Sequence, residues 1–175
     1  MVSSRRSGHF AIARVPFEES SWHNLATGHL LYLGARRVVI HVAGILRSAS
    51  FTIRNNSHQY FAVEIDFFRD EDREAYARAN ELLIASTLVL FVPFACSMTS
   101  GPAPETFRTT RLMPRGSTWN EFRLGLTNGE VGPRIPFTSL TPGDIVRAET
   151  WLGQEEDRTL VFLMRRLVVV QRCPV

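Results

Sequence analysis

Phe61, Val63, Ile65 and Phe67 alternate with Tyr60, Ala62, Glu64 and Asp66, and this period of two constrains the chain more than any other stretch. Successive side chains of a strand point to opposite faces, so the run reads as a half-buried β-strand. The acidic cluster Asp70-Glu71-Asp72 follows it and opens a helical run through Ile84. Asp70 suits the N-cap, and negative charge in the first turn suits the helix dipole. Tyr76, Ala79 and Leu83 recur at helical spacing with Leu82 beside them, which gives one apolar stripe. Glu74 and Arg78 form an i,i+4 pair on the wet side. Residues 87–92 are an unbroken apolar run ended by Pro93, which predicts a second strand.

The remaining segments read as further strands gathered on that unit. Residues 9–17 begin the ordered part, with Phe10 and Ile12 facing in. Trp22 and His23 follow in a loop, where an aromatic side chain commonly plugs the end of a core. Residues 28–46 are a long extended candidate interrupted by Gly34 and Gly44, with Arg36-Arg37 between them. His41 falls between Ile40 and Val42, so alternation turns it away from Ile40 and predicts a partly exposed strand histidine. Residues 50–54 and the turn residues Asn55-Asn56-Ser57 predict a hairpin with the strand at Tyr60. Residues 97–106 carry Gly101, Pro102 and Pro104 and read as a loop. Residues 107–113, 119–126, 145–152 and 158–171 are more strands, with turn signals at Asn128-Gly129 and Gly143-Asp144.

Roughly eight to ten strands and one amphipathic helix near residues 70–84 predict a mainly β fold, an antiparallel β-sandwich or barrel, with a jelly roll as one form of it. The 175 residues fit a single β-rich domain over 9–175 behind a mobile N-terminus at 1–8. An apolar share of 45% suffices for a packed core. No window is long and apolar enough for a transmembrane segment. Residues 1–9 have no apolar core, so no secretory signal is expected there. Cys96 and Cys173 lie too far apart in the chain to form a disulfide framework, which suits a reducing compartment.

All 20 basic residues are arginine; lysine is absent. Walker A loops, Schiff-base enzymes and protein kinases each need a lysine, so those classes are excluded. With 12 phenylalanines retained, a GC-rich genome alone does not explain the loss. Overlapping coding in a compact genome, avoidance of ubiquitin attachment and chance remain as sources, and the first points towards a virus. Charge is uneven: net +5 over residues 1–60, −5 over 61–105 and +3 over 106–175.

Several constellations carry potential chemistry. Arg36-Arg37 and Arg165-Arg166 interrupt apolar strands, where alternation forces one of each pair onto the face opposite its neighbour. Either those faces meet RNA, an acidic partner or membrane surface, or another subunit, or the strands end or bulge there. Residues 107–123 form a basic–aromatic candidate, with Arg108, Arg111, Arg115, Arg123 and Trp119. Glu64, Asp66, Asp70 and Asp72 are the acidic set most suggestive of Mg²⁺, and a solvent-facing strand running into a capped helix uses the same residues. His9, His23, His29, His41 and His58 show no metal-ligand spacing with either cysteine. No G-x-S-x-G elbow or G-x-G-x-x-G loop is present. No cofactor, metal or catalytic residue is therefore expected.

By fold-level analogy these features point to a non-enzymatic, self-associating structural or accessory protein of viral matrix or coat type, acting inside a host cell or in the virion. Its arginine-rich faces would contact nucleic acid or acidic partners. The alternatives are a monomeric binding module that captures RNA or a host protein to suppress a defence, and a Mg²⁺-dependent phosphotransfer enzyme.

Overall fold

The computed structural model describes residues 7–25, 28–54, 58–88, 106–114, 121–126, 130–154 and 160–174. Their order is β1 (His9–Ala11), β2 (Ser21–Leu25), β3 (Gly28–Leu33), β4 (Arg36–Arg37), β5 (Val39–Arg54), β6 (His58–Phe67), α1 (Asp70–Leu88), β7 (Thr106–Pro114), β8 (Phe122–Gly125), β9 (Val131–Arg134), β10 (Ile145–Gln154) and β11 (Leu160–Gln171). The fold is mainly β with one helix and a large mixed sheet.

Five of the strands close on themselves. β10 pairs with β5, β5 with β6, β6 with β7, β7 with β11, and β11 returns to β10. Four of these contacts are antiparallel. The fifth, between β7 and β11, is parallel and runs through the single register pair Leu163 and Thr110. The Thr109 hydroxyl reinforces that narrow seam by donating to the Phe162 carbonyl at 2.8 Å. A parallel neighbour needs a crossover, and the chain supplies one through β8, β9 and β10 before β11 inserts beside β7. Of the two forms expected, barrel or sandwich, these pairings make the barrel. β3 and β2 extend the sheet from β10, and β8 and β9 extend it from β11.

The alternation in β6 sets the inside of the barrel. Phe61, Val63, Ile65 and Phe67 are buried, and Val38, Ile40, Val42 and Leu46 line the β5 side. Burying each large side chain contributes about 1.5–3 kcal/mol before chain entropy is counted. Residues 28–46 do not form one strand: Gly34 turns the chain at φ 59° between β3 and β4. Gly44, by contrast, lies within β5. There the Asp66 carbonyl of β6 crosses so closely that any Cβ would overlap it, so glycine lets the long strand bend without breaking. Residues 50–54 therefore continue β5 and pair with β6 in the expected hairpin.

α1 covers one end of the barrel. The Tyr76 ring packs against Phe67, Phe107 and Phe162 at centroid distances of 5.6, 5.4 and 5.3 Å, joining β6, β7 and β11. Its buried face begins at Asp72 and continues through Ala75, Tyr76 and Ala79. Asp72 accepts both arms of the Arg69 guanidinium at 2.8 Å, which compensates a carboxylate that is only 4% exposed. The helix runs on to Leu88, so the start of the apolar run at 87–92 is helical rather than extended, and residues 89–92 lie outside the described set. The loop expected at 97–106 likewise lies outside it, except for Thr106, which opens β7. A second aromatic group of Phe61, Phe122 and Phe137, with centroids 5.2 to 5.8 Å apart, packs β8 against β6.

Candidate functional site

β10 carries the candidate site on its outer face. Val146, Ala148, Thr150 and Leu152 are buried, so Arg147, Glu149 and Trp151 share the opposite side. Antiparallel register sets His41 of β5 beside Glu149 on one flank and Arg166 of β11 beside it on the other.

The Arg165-Arg166 pair is resolved by a β-bulge. Glu149 pairs with Arg166 while Thr150 pairs with Met164, which leaves Arg165 as the extra residue. A bulge breaks strict alternation and can turn two successive side chains to one face. Both guanidiniums reach the same Glu149 carboxylate, Arg165 at 3.4 Å and Arg166 at 3.6 Å. Arg166 also meets Glu121 at 3.4 Å, and Glu121 gathers Arg123 and Arg134, each at 3.3 Å. Burial alone would raise the Glu121 carboxyl, but the charges and hydrogen bonds of Arg123 and Arg166 outweigh it and hold the group below its usual range. These arginines are therefore largely occupied by the protein's own carboxylates.

The Arg36-Arg37 pair keeps its alternation. Arg36 is exposed on β4, while the Arg37 guanidinium lies 4.7 Å from the Trp151 ring centroid and 5.9 Å from that of Tyr32. Arg37 also donates to the Tyr32 hydroxyl at 3.4 Å. The His23 ring stacks on Tyr32 at 4.4 Å with only 17° between the planes. Arg111 approaches Trp151 from β7 at 5.9 Å. His23, Tyr32, Arg37 and Trp151 thus form a row of π-faces and cations on β2, β3, β4 and β10. Trp22 and His23 lie in β2 rather than in the expected loop, because they pair with Leu31 and Leu30 of β3; Trp22 packs against the core, as expected, whereas His23 is exposed and belongs to the row.

A compact polar group sits between the two arginine pairs. His9 Nδ1 lies 2.8 Å from His41 Nε2. His41 is buried at 8% exposure, not partly exposed as alternation alone suggests, because His9 and the charged residues of β10 and β11 cover it. Burial first, then the neighbouring His9, Arg147 and Arg165, pull its pKa down to about 3, so it is neutral at pH 7. His9 is lowered in the same sense, mainly by burial and then by Arg165, with Glu149 opposing.

Of the arginines singled out from the sequence, Arg37 and Arg111 converge on Trp151, and Arg123, Arg165 and Arg166 converge on the two glutamates. Arg108 stands apart, exposed on β7 opposite Glu64. Arg115 and Trp119 lie outside the described residues. The residues missed are Arg147, Glu149, Trp151, Tyr32, Glu121 and Arg134. The alternation of Arg147, Glu149 and Trp151 was the available signal for the first three; nothing local marks the others.

The acidic set does not assemble. Glu64 accepts from Ser48 at 2.9 Å, Asp66 from Thr106 at 3.2 Å, Asp70 pairs with Arg73 at 2.8 Å, and Asp72 belongs to Arg69. Among the described residues no three His, Cys, Asp or Glu side chains are grouped to hold a metal ion. No described helix is long and apolar enough to cross a membrane.

Fold and site together define a mainly-β barrel protein with one helix and a basic–aromatic outer face. No family model, curated protein or solved structure matches the chain.

Proposed function

We propose that the protein is a non-enzymatic, self-associating structural or accessory protein that holds single-stranded nucleic acid along the outer face of β10. The observation that carries this reading is the Arg37–Trp151 stack continued by Tyr32 and His23. Single strands expose base faces that stack on aromatic and guanidinium planes, and each such stack contributes about 1–3 kcal/mol. Arginine supplies the forked donors that suit phosphate oxygens. Small antiparallel β-barrels also use strand faces for oligonucleotides, which lends support by analogy. The lack of lysine supports a viral matrix- or coat-like role through coding constraint. Self-association is supported by the uneven charge along the chain, net −5 over residues 61–105 against +5 over 1–60 and +3 over 106–175.

The test is titration of a fluorescent single-stranded RNA at low and high salt, with light scattering on a sizing column. Expected are binding that weakens steeply with salt, oligomers, and a loss of affinity of about tenfold or more in Trp151→Ala. Absence of binding at low salt would overturn the reading. Tight binding by a strict monomer would replace the structural role with that of an RNA-capturing module.

A further inference from the structure

Two neighbouring polar groups on the outer face lack hydrogen-bond partners. His41 Nδ1 and Arg147 Nε are both buried, and neither has a hydrogen-bond partner among the described residues. Such orphaned groups are uncommon in native proteins, because each loses its water without a replacement. They occupy one small area: Arg147 pairs in register with Ala43 and Glu149 with His41, so His41 and Arg147 are diagonal neighbours on one face of β5 and β10. Side chains so placed are within reach of a common ligand.

We propose that His41 and Arg147, with Arg165 beside them, form a phosphate seat. His9 sets the ring for this role. When His9 Nδ1–H donates to His41 Nε2, across 2.8 Å, His41 keeps its own proton on Nδ1 and presents a donor. A phosphate oxygen then accepts from His41 Nδ1–H and another from Arg147 Nε–H, and Arg165 adds charge. The ligand is an anion rather than a cation because Arg147 and Arg165 both act on His41 as positive neighbours. The carboxylate beside His41 is Glu149, which Arg165 and Arg166 already contact. An anion reaching both donors must part the Arg147 and Arg165 side chains. Parting them costs Arg165 its 3.4 Å contact with Glu149, while Arg166 stays on that carboxylate. The phosphate belongs to a nucleic-acid backbone or is free in solution; the former rests on the strand-binding reading above, and the face shared with Trp151 favours it.

The experiment follows the His41 imidazole by NMR in the full chain while inorganic phosphate is added at constant ionic strength. Expected is a saturable shift of His41 with a protonated Nδ1, weakened about tenfold or more in Arg147→Met and unchanged in Arg108→Met, which removes the same charge elsewhere. Arg147→Lys keeps the charge but has no Nε, so it serves if the methionine variant fails to fold, and the same weakening is expected. No shift of His41, or equal weakening in Arg108→Met, would overturn the seat. A single-stranded oligonucleotide separates the sources. If it binds and moves His41, the seat takes a backbone phosphate. If inorganic phosphate moves His41 but no oligonucleotide binds, the seat stands for free phosphate and strand binding fails. If the oligonucleotide binds and neither ligand moves His41, strand binding stands and the seat fails.

Discussion

The dipeptide Arg-Arg occurs at 36–37 and at 165–166, and the barrel treats the two copies in opposite ways. At Arg36-Arg37 the short strand β4 keeps its alternation, so one guanidinium goes to solvent and the other to Trp151. At Arg165-Arg166 a bulge places both on Glu149. The first pair leaves a cation on a half-buried aromatic platform. The second is tied into a charge network with Glu149 and Glu121 and is far less available to a partner. An arginine's presence in a strand therefore says little about binding until its counter-charge is known; a guanidinium already holding a carboxylate must give that bond up before it takes a phosphate.

Glu149→Gln breaks the comparison hardest. It keeps the shape of the side chain but leaves Arg165 and Arg166 facing each other beside a buried amide. Stability should fall by about 3 kcal/mol, at the low end for a broken buried pair because both arginines are partly exposed. Urea denaturation with an unchanged m-value would measure it, and a loss below about 0.5 kcal/mol would mean that Glu149 does not organise the second pair.

The burial of His41, with positive charge beside it, gives the next effect. Its pKa is about 3 in the folded protein against 6.5 ordinarily, so the unfolded chain binds the proton more readily. The associated stability is present above pH 6.5 and is lost as pH falls towards 3, amounting to about 2 kcal/mol by pH 5. His41→Gln should flatten that slope in pH-dependent unfolding, and a slope equally steep in the variant would assign it to other groups.

The smallest effect concerns the first pair. Arg37→Ala should cost about 0.5–1 kcal/mol through its contact with Trp151, and tryptophan fluorescence should shift with it. Arg36→Ala should stay within about 0.5 kcal/mol and leave the fluorescence unchanged. Equal responses would erase the distinction drawn within that dipeptide.

Much of the framework is legible in the sequence. The alternation at Phe61, Val63, Ile65 and Phe67, the acidic start of α1 with its buried Tyr76 and Ala79, and the pairing of residues 50–54 with the strand at Tyr60 follow from local periodicity, which acts between residues close in sequence; the expected turn at Asn55-Asn56-Ser57 lies outside the described residues. The i,i+4 pair of Glu74 and Arg78 is also in place, at 3.8 Å. A bulge at Arg165-Arg166 was one reading open from the sequence, but only the partner strand could select it, because the extra residue is defined against that strand. Glu121 and Glu149 escaped such reading. They are ordinary acids in sequence, and they become centres of arginine clusters only when β8, β10 and β11 lie side by side.

By itself, then, the sequence determined a mainly β chain with one helix, an interior drawn from its alternating apolar residues, and no lysine chemistry. Only the tertiary structure decided that the strands close into a barrel, that His41 is buried against His9, and which arginines meet carboxylates and which meet Trp151. The reason is range: periodicity and capping act over a few residues, whereas ion pairing, burial and barrel closure join positions such as Glu121 and Arg166 that are 45 residues apart.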